Sequence, residues 1–155
     1  MRVAIGVLAA MAVLGAASPA AADWGFTKWG MTQAQVVEAS GGKAQLLSPD
    51  EARAATTFKG TACQVQIAQP QTIADLDVQK INFCFGEDGR LRSIEMILDE
   101  SSFDLADQRL ASVYGEAVYR GDRRRVFNDP KGGDTVQLLL LTRTMIVYRP
   151  VPSGL

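Results

Sequence analysis

The chain has 155 residues, 47% of them hydrophobic and 21% charged, with a formal net charge of −1. That composition does not indicate intrinsic disorder, and the charge balance gives no general reason to expect nucleic acid as a partner. No histidine is present, which removes the commonest general base at neutral pH and the commonest metal ligand, so neither a metal site nor a cofactor is expected.

Met1 and Arg2 form a short basic start. Residues 3–15 are an apolar run too short to span a bilayer comfortably. Ala20-Ala21-Ala22 is a small-residue cleavage site before Asp23. The pattern reads as a secretory signal peptide over residues 1–22, cleaved after Ala22, with an uncleaved anchor as the alternative. No cysteine stands near the cleavage site, so lipidation is not expected. Residues 23–155 then fit one domain, of the common size of roughly 100–150 residues. The expected location is periplasmic or secreted, since no later segment is apolar enough to span a membrane.

Thr32-Gln33-Ala34-Gln35 opens the first helix. Thr32 is a good N-cap, and Gln35 three residues later completes a capping box. Met31 and Val36 are placed to form a hydrophobic staple across it. Ser40-Gly41-Gly42 ends the helix. Ser48 as cap, Pro49 at the first helical position and Glu51 three after the cap start a second, short helix.

Three strands follow, over residues 61–68, 76–85 and 91–98, with a turn at Gly86-Glu87-Asp88-Gly89. Cys63 and Cys84 lie on the first two. An even cysteine count in an exported chain argues for a Cys63–Cys84 disulfide, with free redox thiols as the alternative. Simple alternation puts Cys63 with Val65 and Ile67, but puts Cys84 opposite Ile81, Phe83 and Phe85. Either the sheet is apolar on both sides there or a bulge shifts one parity. A second parity break, between Leu91 and Ile94, calls for a bulge near Arg92-Ser93.

Ser101 or Ser102 caps a longer helix that runs to Tyr114 and stops at Gly115. Its apolar stripe is Phe103, Ala106, Leu110, Val113 and Tyr114. Three more strands follow, over residues 123–127, 135–141 and 144–148. The expected fold is α+β: a two-layer antiparallel sheet of about six strands with helices on one face, in two helix-plus-meander halves.

Gly30-Met31-Thr32, with Gln35 and Val36 after it, resembles the helix start of the small lipoproteins of the outer-membrane β-barrel assembly machinery. Their fold is shared with the β-lactamase inhibitor proteins. The resemblance implies an envelope protein that works by protein–protein contact rather than catalysis. No site residue is carried over, because the shared motif is a structural cap.

Two stretches are candidate interaction sites. Arg123-Arg124-Arg125, with Arg120 nearby, could meet a phosphate, a headgroup or an acidic partner, although a solvated edge strand accounts for the run as well. Trp24 and Phe26, close to Trp29, could form a stacking platform for a sugar or a partner, or, with Trp29, cap the core. Asp75 and Asp77 are a weak candidate carboxylate pair. Residues 128–134 read as a hairpin turn rather than a phosphate or calcium loop. The expected function is therefore non-catalytic protein binding in the cell envelope, by a monomer with an unidentified envelope partner. The alternatives are a small-ligand or glycan-binding module and a carboxylate-based hydrolase.

Overall fold

A computed structural model describes residues 25–151. The signal-peptide reading of residues 1–22 and the candidate Trp24 lie outside the described residues. None of the described helices is long and apolar enough to cross a membrane.

The helices are α1 (Gln33–Ala39), α2 (Pro49–Ala55) and α3 (Phe103–Tyr114). The strands are β1 (Gln45–Leu46), β2 (Ala62–Ile67), β3 (Gln71–Ile73), β4 (Leu76–Phe85), β5 (Leu91–Leu98), β6 (Tyr119–Gly121), β7 (Arg124–Asn128), β8 (Asp134–Leu140) and β9 (Thr144–Pro150). They make one nine-stranded sheet, in the order β1-β2-β4-β5-β9-β8-β7-β6, with β3 paired to β4 beside it. Each recorded pairing is antiparallel. Each half runs as a meander from an edge to the centre. The halves join where β5 pairs β9, with Met96 opposite Ile146.

The expectation of six strands is corrected to nine. The additions β1, β3 and β6 have two or three residues each, too few to show a period of two. The expectation of helices on a single face is also corrected. α1 and α3 cover one face, where Val36, Phe103, Ala106 and Leu110 join the main core with Phe83, Ile94, Leu138 and Ile146. α2 and the strap after it lie over the other face. There Phe58 packs on a smaller patch of Ile97, Leu139, Met145 and Val147. Unlike α1 and α3, α2 has no buried residue of its own.

Both hydrogen bonds of the capping box at α1 are present. Thr32 Oγ1 accepts from the Gln35 amide at 3.3 Å, and Gln35 Oε1 accepts from the Thr32 amide at 2.9 Å. The segment before the cap is tied to the centre of the sheet. The Leu91 amide donates to the Met31 carbonyl at 2.8 Å, and the Gly30 amide to the Leu91 carbonyl at 3.3 Å. Gly30 takes φ +83° to make that approach, which glycine does at no steric cost. Trp29 packs against the main core, and its indole N–H donates to Asp134 Oδ1 at 2.8 Å. One short stretch thus ties the first half to the second.

Cys63 and Cys84 are direct cross-strand partners and form a disulfide. The register shifts between Cys63 and Val65, so Cys63 faces away from the main core although Val65 faces into it. A second shift sets Cys84 against Ser93 but Phe85 against Leu91, which places a bulge at Arg92. Closing a loop of this length contributes about 3 kcal/mol in the chain-entropy model. On α3 the stripe is shorter than the sequence suggests. Phe103, Ala106 and Leu110 are buried, but Val113 turns outward.

Candidate functional site

The second face of the sheet holds an unusual polar residue. Glu95 lies mid-strand in β5, between Asn82 of β4 and Val147 of β9. It is fully buried. Neither carboxylate oxygen has a hydrogen-bond partner of full geometry among the described residues. Thr57 on the strap and Asn82 are near enough to favour the charged form slightly, without full hydrogen-bond geometry, and Arg149 does so through its charge. Burial outweighs all three and pushes the carboxyl up to about 7. Its ligating oxygen and the two sulfurs of Cys63 and Cys84 lie within 4.8 Å of one another. Those sulfurs are bonded to each other, so they are not free to hold a metal ion.

Above Glu95 the cover is thin. Thr56 is fixed by its hydroxyl, which donates to the Ala52 carbonyl at 2.7 Å and accepts from the Cys63 amide at 3.0 Å. Thr57 is exposed and Phe58 half-buried. The Arg149 guanidinium sits 4.7 Å from the centre of the Phe58 ring. A cleft of about 240 Å³ opens beside this cover, lined by Thr57, Gln66, Lys80, Asn82, Ile97 and Arg143 among others. It carries two cationic side chains and no carboxylate.

The arginine run divides its work. Arg123 donates to the carbonyls of Leu140 and Leu141 at 2.9 and 2.8 Å, closing the end of β8. Arg124 lies over the Tyr119 ring, 5.5 Å from its centre. Arg125 points the other way. Its side chain is largely buried, 3.1 Å from Asp107 and 5.1 Å from the centre of the Phe103 ring. Arg120 shares Asp107 at 2.8 Å. Around this edge Val113, Val118 and Tyr119 are 64, 64 and 53% exposed. The stretch from the end of α3 into β6 therefore leaves three apolar or aromatic residues exposed, with Tyr119 and Arg124 on the sheet face away from Arg120, Arg125 and Asp107.

Phe26 packs on Phe83 with ring centres 5.9 Å apart and joins the core. Asp75 and Asp77 are separated in role. Asp75 sits in the β3–β4 turn at φ +63° and pairs with Arg109 at 3.2 Å, whereas Asp77 is an exposed strand residue beside Thr72. Residues 128–134 form the β7–β8 hairpin connection, in which Asp129 Oδ1 accepts from the Lys131 amide at 2.8 Å. Burial, then Tyr114, and then the charges of Asp129 and Asp134 hold the Tyr148 hydroxyl well above its usual range.

Glu95 escaped the sequence reading because a glutamate between Ile94 and Met96 fits simple alternation. The available signal was its surroundings. Ile97 shares its face, and residues 138–141 and 145–147 are continuous apolar runs, the mark of strands covered on both sides. No protein-family model, no curated protein and no solved structure matches the chain.

Proposed function

We propose that this chain is an exported, non-catalytic protein that acts as a monomer by binding another protein of the cell envelope. The surface assigned to that contact is the corner of α3 and β6. The observation that carries the reading is the exposure of Val113, Val118 and Tyr119 between the end of α3 and β6, with Arg124 over the Tyr119 ring and Arg120 and Arg123 exposed on the same stretch of chain. Aromatic residues and arginine are enriched at protein interfaces, and tyrosine and arginine anchors dominate their binding energy. The arginine flank fits a partner with an acidic rim.

Three further points support the reading. The chain has no histidine, and among the described residues the one carboxylate with a strongly raised pKa is fully buried. The closed disulfide is compatible with a location outside the cytoplasm. The Gly30-to-Val36 resemblance points to an envelope protein as well. A small-ligand module is the rival, favoured by the cationic lining of the cleft beside Glu95. Against it, that cleft, at about 240 Å³, is below the usual range for ligand pockets, whereas the clefts of about 470–560 Å³ elsewhere on the surface lack that pair of cationic side chains.

Site-specific photo-crosslinking from position 118 in cells tests the reading. A discrete envelope protein should be captured, and Tyr119→Ala should weaken the purified complex by about 2 kcal/mol, the scale of a hot-spot aromatic. No captured protein, or capture indifferent to Tyr119→Ala, contradicts it.

A further inference from the structure

We propose that Glu95 and Arg149 form a proton-controlled clasp on the strap of residues 56–60, closed while Glu95 is neutral and released when it ionises. The geometry supplies both states. In the structure Arg149 lies over the Phe58 ring rather than in an ion pair with Glu95, and both Glu95 oxygens lack partners of full geometry. A neutral carboxyl tolerates that position. A carboxylate does not, because a buried unpaired charge is far costlier than a buried neutral group. On ionisation Glu95 has two remedies. Arg149 can turn toward it and leave the Phe58 ring, or the strap can lift and admit water. Both loosen the strap.

The charges around Glu95 make this response specific to it. β9 contributes Arg149, which favours the charged form. β4 contributes the neutral Asn82, with Lys80 further along in the neighbouring cleft, and the β8–β9 turn contributes Arg143 there. β2 contributes the disulfide, which does not titrate, and Gln66. The strap itself carries Lys59, which is exposed. No carboxylate of the described residues lines that cleft, which leaves Glu95 as the acid beneath the strap.

The strap is suited to move. Its cover consists of half-buried and exposed residues, and α2 before it buries none. Segments with few buried apolar contacts open at low free-energy cost. Lifting it would uncover Ile97, Met145 and Val147 without disturbing the main core.

Amide hydrogen exchange of the full mature protein, corrected for the intrinsic pH dependence of exchange, tests the clasp. With a closed-state value of about 7 against 4.5 for the free side chain, strap opening should rise roughly ten- to a hundredfold between pH 5 and 7 and then level off. Glu95→Gln should flatten that rise while α1 and α3 exchange as in wild type. A wild-type strap indifferent to pH, or an equal rise in Glu95→Gln, overturns the proposal. Carboxyl-carbon NMR on the wild type serves if the variant misfolds. The Glu95 signal and the strap amides should titrate with one midpoint, and separate midpoints overturn it.

Discussion

On the face carrying α1 and α3, the central strands present Phe83, Ile94, Met96, Leu138 and Ile146 to two helices that bury their own side chains. On the opposite face the same strands present Asn82, Ser93 and Glu95, between a disulfide and a small apolar patch, under a helix that buries nothing. The strands are shared, so the difference lies in alternate residues. One face carries most of the apolar burial, and with it most of the hydrophobic stabilisation. The other accommodates a buried acid that stability alone would not select.

The largest expected effect separates the two faces directly. Phe83→Ala, in the main core, should cost about 3–5 kcal/mol in urea melts, the scale of a fully buried aromatic. Phe58→Ala on the strap should cost about 1 kcal/mol, because its ring is half-exposed and its arginine contact is of the weaker, solvated kind. Equal losses would mean that the second face is as firmly packed as the first.

A smaller effect sharpens the account of how the main face is anchored. Thr32→Ala removes the acceptor that holds the Gln35 amide and should cost about 0.5–2 kcal/mol. Gln35→Ala should cost less, and the double variant should fall short of additivity because both residues serve one capping box. Strict additivity would dissolve the box into two independent contacts.

Much of the main face was legible from the residues. The caps at Thr32 and Ser48, the three long first-half strands and the Cys63–Cys84 pair follow from short-range chemistry. The parity conflict between Cys63 and Cys84 demanded a bulge or a sheet apolar on both sides there, and the structure resolves it with a bulge between Cys63 and Val65. The second face was hardly legible. Strands of two or three residues have no period to read. The side on which α2 lands depends on the bulge and on the strap, neither of which has a local signature. Of the arginine run, Arg125 is recruited inward by Asp107, a residue on a different element and 18 positions away. Nothing local in the triplet distinguishes it from Arg123 or Arg124.

The central claim is that the second face carries a buried carboxyl held neutral by its surroundings, and the pH dependence of stability tests it most directly. The folded protein holds the Glu95 proton more tightly than the unfolded chain does, about 7 against 4.5. Its contribution to stability is therefore fully present below about pH 4.5, is lost as pH rises to about 7, and stays lost above. The depressed carboxyls of Glu51, held mainly by the Ser48 backbone, and Asp88, held mainly by the Arg90 backbone, act in the opposite direction and at lower pH. No histidine titrates in between. Urea melts of wild type from pH 5 to 8 should show stability falling with pH, by up to about 3 kcal/mol if the full shift is expressed, and Glu95→Gln should remove most of that slope. A wild-type stability that is flat or rising over this range, or a slope unchanged in Glu95→Gln, would contradict the account.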